Sequence, residues 1–258
     1  MLVGPDWRNP VAYRFTADLN QGQWAWEFLR RNGDYQQDWN WFISTWRGLE
    51  TNYGAPPERD FLRWKQDPRA YRDAADIERN NDSTPHCAST DDGNLVFIEC
   101  WMGAKWGFLK FPPDPSCDTV SLTEPVTWRQ VETNVQIAGT DEFRSSNHDG
   151  AVGLQFDLTL PLKAQLDAAR VYLIAEQRRR QQDHTLRLRT IAGNMQRWTR
   201  LLRLLNAEAA GASTEHIADL LFVDHSDPRA AISAARNEAH DLLNGGYRQI
   251  TVLPMKTA

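Results

Sequence analysis

No run of 18 apolar residues occurs in this 258-residue chain, and its mean hydropathy is -0.60, so a membrane-spanning helix is not expected. The opening Met1-Leu2-Val3-Gly4-Pro5-Asp6-Trp7-Arg8 lacks a basic segment followed by an apolar one. No secretory leader is therefore expected, and the expected location is the cytoplasm. Cysteine is scarce. Cys87, Cys100 and Cys117 are odd in number and contain no CxxC pair, which argues against a disulfide scaffold or a paired-cysteine zinc site and for three reduced thiols. The catalytic motifs are missing too: there is no HExxH, GxSxG or Walker loop. His86, Cys87, Cys100, Cys117 and His148 are the best material for an enzyme, and their spacing supports none. The expectation is a non-enzyme with no catalytic residues, no metal and no cofactor.

Hydrophobic residues make up 41% of the chain and charged residues 24%, a globular composition. Two features are unusual. Of 11 tryptophans, ten lie between Trp7 and Trp128 and only Trp198 follows. Charge is divided as well: 15 Lys/Arg face 24 Asp/Glu through Leu162, and 14 face 10 from Lys163 onward. An acidic protein is a poor general nucleic-acid binder, but a basic half leaves room for site-restricted binding.

The pattern of elements predicts an α+β chain that is mainly α, in three parts. Residues 1–66 form a Trp-rich helical domain. Asn9 caps and Pro10 starts a short helix to Leu19. A second helix covers Trp24–Asn32 and stops at Gly33. Asp34 caps a third, on which Tyr35, Trp39, Phe42, Trp46 and Leu49 share one face. Phe61, Leu62 and Trp64 suggest another short helix. Most of the aromatics form a core, and Trp7, Trp24, Trp26 and Phe28 are the candidates for contact with a partner or with the C-terminal domain.

Residues 67–161 form a connecting segment with β-strands. Leu95–Trp101 and Trp106–Phe111 read as strands or short helices, and Val131, Val135 and Ile137 as strand material. A polar loop over Gly139–Gly150 leads to the cleanest alternation in the chain, Val152, Leu154, Phe156, Leu158 and Leu160, which predicts a half-buried strand ended by Pro161.

Residues 162–258 read as helical. Leu162, Leu166, Ala169 and Leu173 share a face, and Ile191 to Ala209 forms a second amphipathic helix. Gly211 suits a left-handed helix end, and Ser213 caps a helix over Thr214–Phe222. Asp227 and Pro228 start a further helix to about Leu243. These are the elements of a helix-turn-helix whose turn, Val223–Pro228, is extended. On the last helix Ile232, Ala235, Ala239 and Leu242 form the packing stripe. Arg229, Ser233, Arg236, Asn237 and His240 lie opposite, and those side chains read base edges and grip phosphates. The candidate DNA contacts are Arg197, Arg200, Arg203, Ser213, Thr214, His216, Arg229, Ser233, Arg236, Asn237, His240 and Arg248. Arg236 and Asn237 are the expected base readers, and Arg229 is expected on phosphate. Glu238 and Asp241 flank this face.

Pro5–Pro10, Trp24-Ala-Trp-Glu-Phe-Leu-Arg-Arg-Asn32 with Tyr35, and Ala104-Lys-Trp-Gly-Phe108 resemble a proteobacterial transcriptional regulator-like domain and the segment after it. Ala210–Ser213, Ile217–Phe222 and Asn244-Gly-Gly-Tyr-Arg248 resemble the paired C-terminal domain of the same group. The whole resembles the FseA-type activators of integrative and conjugative elements. The resemblance implies binding to double-stranded promoter DNA, activation of excision and conjugative-transfer genes, and control by an antiactivator protein that binds the N-terminal domain. RNA polymerase is a further candidate partner, and a membrane is not. The alternative is a protein-interaction regulator whose C-terminal fold does not bind DNA. A continuous positive face on the last helix favours the first reading, and a neutral or acidic one the second.

Overall fold

The structure, a computed structural model, describes residues 4–78, 95–109, 111–129, 152–186 and 188–255. His86, Cys87, His148, Arg187, the loop over Gly139–Gly150 and the strand material at Val131, Val135 and Ile137 lie outside the described residues. The fold is α+β and mainly α, as the sequence predicts. Two compact units are present, residues 1–131 with 191–256, and residues 132–190 with 257–258.

The first unit opens with a 3-10 helix, Pro10–Asp18, whose Asn9 cap accepts from Val11 N at 3.0 Å. Helix α1 spans Gln21–Leu29 and begins three residues before Trp24. Asn20 and Gln23 close a reciprocal capping box at 2.9 and 3.0 Å, so Gln21-Gly22-Gln23 starts the helix rather than interrupting the chain. Helix α2, Gly33–Tyr53, is capped by Asn32 and not by Asp34. Gly54, at φ 84°, ends it. Short helix α3, Phe61–Trp64, and a 3-10 turn at Pro68–Ala70 lead into β1, Tyr71–Asp73. After α4, Ala75–Glu78, strand β2 at Leu95–Phe97 pairs antiparallel with β1, Tyr71 opposite Phe97. Helix α5, Ile98–Trp106, follows directly, and Gly107 at φ 85° closes it. Leu95–Trp101 therefore supplies both a strand and a helix. On α5, Cys100 is in a disulfide, whereas Cys117 is a free, half-buried thiol. The expectation of three reduced thiols is corrected: chain spacing alone does not show which cysteines the fold brings together.

The C-terminal part of this unit is α7, Ile191–Ala209, α8, Thr214–Leu221, and α9, Pro228–Asp241. Gly211 is left-handed at φ 69°. A π turn over Leu242–Gly246 precedes α10, Tyr247–Ile250. Trp24, Trp26, Phe28, Tyr35, Phe42, Trp64 and Trp101 are fully buried in one core that also holds Trp198, Leu202, Tyr247 and Ile250. A second cluster joins Trp7 to Leu204, Ile217, Phe222 and Ile232.

In the second unit, α6 spans Leu162–Gln182 and buries no residue, with Leu162, Leu166 and Leu173 exposed. The predicted strand over Val152–Leu160 is not formed. Thr159 donates from both N and Oγ1 to Asp157 Oδ1, at 2.8 and 2.6 Å, and Leu160 N donates to Asp157 O. Those local bonds turn the chain, and no ladder partner exists among the described residues.

Candidate nucleic-acid interface

Helices α7, α8 and α9 pack pairwise against one another. Ser213 accepts from His216 N at 3.2 Å and caps α8. Asp227 accepts from Ala230 N at 3.0 Å and caps α9, with Pro228 in its first turn. Ile232 and Ala239 are buried, which turns the opposite face of α9 outward. Arg229, Ser233, Asn237 and His240 are exposed on it, at spacings of four, four and three residues. Ser233 and Asn237 make no hydrogen bond to another described side chain, so their donors and acceptors face solvent.

The arginines are differently placed. Arg236, half-buried, donates from Nε to Glu208 Oε1 at 2.6 Å. His240 Nε2 lies 3.9 Å from the other oxygen of Glu208. Arg197 contacts Glu238 at 2.6 Å, and Arg229 lies 3.8 Å from Glu215. Arg200 approaches His225 at 3.3 Å and sits over the Phe222 ring, so it borders the extended turn. Arg203 donates to the carbonyls of Trp7 and Arg8. Burial pulls its guanidinium below the ordinary value, and neighbouring Arg200 adds to that. Thr214 is half-buried, and exposed His216 meets the Trp7 ring edge-on at 5.0 Å. Arg248 donates to Lys105 O at the end of α5 and to the Tyr247 hydroxyl, apart from the α9 face.

Glu208 and Glu215 lie outside α9, so the sequence of that helix, with its own Glu238 and Asp241, does not reveal them as partners of its arginines. Glu208 lies 28 residues before Arg236, on another helix. Charge also falls elsewhere than the division at Leu162 implies. Residues 191–255 hold six arginines, no lysine and seven carboxylates, while 163–190 hold seven basic and three acidic residues. The basic surplus thus belongs to the segment containing α6.

The four aromatics assigned to contacts divide. Trp7 packs in the second cluster beside α8. Trp24 and Phe28 meet Trp198 of α7 at 5.4 and 6.3 Å. Trp26 instead meets Tyr35 and Phe108 and donates to Cys117 O at 3.1 Å.

Residues 6–64 match the family model of the proteobacterial transcriptional regulator-like domain. No curated protein and no solved structure matches the chain. The family match supports a role in transcriptional regulation. Among the described residues, no helix is long and apolar enough to cross a membrane, and no His, Cys, Asp and Glu group could hold a metal.

Proposed function

We propose that this chain is a DNA-binding transcriptional regulator in which α7, α8 and α9 form a helix-turn-helix with an extended turn. The observation that carries the reading is the outward face of α9, where Arg229, Ser233, Asn237 and His240 project from a helix held by the other two. Asparagine can pair with both edge groups of adenine and arginine with both acceptors of guanine. In this reading Asn237 and Arg236 contact bases, Arg236 after exchanging Glu208 for guanine. Arg229, Arg197 and Arg200 contact phosphates. The FseA-type resemblance supplies the biological setting: activation of excision and conjugative-transfer genes of a mobile element, opposed by an antiactivator on the N-terminal domain.

Footprinting on DNA upstream of such genes, with Arg236→Ala and Asn237→Ala, tests the reading. Glu238 pairs with Arg197, so exposed Glu58→Ala is the better control. Each loss should cost about 1–3 kcal/mol on specific DNA and little on scrambled DNA. Equal losses on both DNAs would reduce these residues to positioning.

A second reading, regulation through protein partners alone, is favoured by one observation. Arg197, Arg229 and Arg236 each face a glutamate, and the charges of residues 191–255 nearly cancel. Absence of DNA binding at low salt would select it.

A further inference from the structure

Arg197, Arg229 and Arg236 each face a glutamate, but two other arginines of α7 do not. Arg200 and Arg203 lie about one helical turn apart, and neither meets a carboxylate among the described residues. Arg200 has His225 Nε2 at 3.3 Å and the Phe222 ring beside it. Arg203 donates to backbone carbonyls, Trp7 O at 2.8 Å and Arg8 O at 3.4 Å. Its pKa is lowered by burial first, and the like charge of Arg200 lowers it further. The two guanidiniums therefore repel each other, and an anion placed beside them would relieve that repulsion.

The N-terminal segment adds a third arginine. Trp7 is buried with Leu204 of α7, Ile217 of α8 and Phe222 of the extended turn. With the Trp7 ring packed there and its carbonyl held by Arg203, Arg8 is fixed as an exposed residue beside α7 and α8. Its guanidinium lies 5.2 Å from the centre of the Trp7 ring, which exposed His216 of α8 meets edge-on at 5.0 Å. The carboxylates nearby are accounted for. Asp6 Oδ1 accepts from Arg8 N at 3.0 Å and lies 3.6 Å from the guanidinium, with both side chains more than half exposed. A long, exposed pair of that kind holds weakly and yields to a stronger anion. Glu215 is turned to Arg229, and exposed Asp224 forms no ion pair among the described residues.

Position selects the anion. The surface borders α8 and the extended turn, the part of a helix-turn-helix that crosses the sugar-phosphate backbone while the last helix enters the groove. We infer that Arg8 and Arg200 grip DNA phosphates beside α8, and that Arg203 positions Arg8 for this contact. The N-terminal segment is then part of the DNA interface, and the phosphate contacts come from both ends of the chain. This rests on the reading of α7, α8 and α9 as a DNA-binding unit.

Phosphate contacts are independent of sequence, so the test needs no known operator. Binding of the full chain to a labelled duplex of scrambled sequence is followed by fluorescence anisotropy between about 50 and 200 mM salt. Arg8→Ala and Arg200→Ala should each lower affinity about five- to tenfold at about 100 mM salt and reduce the salt slope by about one. Arg8→Lys keeps the charge and should keep the slope. Arg47→Ala, an exposed change of the same charge on α2, should leave it unaltered. Arg203→Gln should lose as much as Arg8→Ala, and the double variant no more than either, because Arg203 acts through Arg8. Additive losses would overturn that positioning role. A full slope in Arg8→Ala, or an equal fall in Arg47→Ala, would overturn the inference while leaving the reading of α9 standing, which Asn237→Ala tests on specific DNA. No binding to DNA at low salt would overturn both.

Discussion

Glu27 shows how much one residue can carry. Its side chain is fully buried on α1 and contacts Arg30 at 2.9 Å and Arg31 at 2.7 Å. Thr119 supplies two further donors. Burial pushes its pKa up, but the guanidiniums of Arg31 and Arg30 and the hydrogen bonds outweigh burial and hold it at about 2. A folded-state pKa below the unfolded value gives stabilisation that is complete above the unfolded value of 4.5 and is lost as pH falls towards 2. Glu27→Gln leaves two buried guanidiniums without their counter-charge, which should cost about 3–5 kcal/mol at pH 7. Urea denaturation of both proteins should show that gap narrowing between pH 5 and pH 3. Equal stability at pH 7, or a gap indifferent to pH, would contradict this account. The sequence did show arginines three and four residues after Glu27. It did not show the burial, because Thr119, which completes the cage, lies 92 residues away.

At the scale of elements, legibility follows the range of the interactions. The Asn9, Ser213 and Asp227 caps and the prolines at 10 and 228 act within one turn, and the helices begin where they indicate. The left-handed Gly211 is equally local. Val152–Leu160 failed for the opposite reason. Alternation defines two faces, but a strand also needs a neighbour, and Asp157 offered the backbone local bonds instead. The α9 face lies between these cases: its exposed residues follow from periodicity, whereas the pairing of Arg236 with Glu208 depends on how α7 packs. That pair is partly exposed and so worth little to stability, about 0.2–1 kcal/mol. It nevertheless competes with any anion for Arg236. Glu208→Gln should therefore strengthen DNA binding about two- to fivefold, measured by fluorescence anisotropy at fixed salt, with small effect on thermal stability. Weaker binding would mean that Glu208 orients Arg236 rather than competing for it.

Across the whole chain, order in sequence and order in space diverge. Read along the chain, composition changes near residues 66 and 161; in the fold, one core runs from Tyr13 to Ile250. Trp198 is only 4% exposed because Trp24 and Phe28 cover it, and its loss to alanine should cost about 3–5 kcal/mol. Asn32 Nδ2 donates to Leu243 O at 2.9 Å, and Tyr247 Oη donates to Trp106 O at 2.9 Å. Both bonds are buried, so each half alone would expose aromatic surface and leave polar groups unpaired. Segments 1–131 and 188–258, expressed separately, should therefore show broad, weakly cooperative melting. Mixed, they should form a one-to-one complex with a sharper transition, detected by size-exclusion chromatography and circular dichroism. Trp198→Ala in the shorter segment should weaken that association, because it removes the ring that Trp24 and Phe28 enclose. Two segments that each melt cooperatively and do not associate would show that the shared core is dispensable. The helices of the proposed DNA interface would then owe their structure to their own packing, through the smaller cluster around Leu204, Ile217 and Ile232.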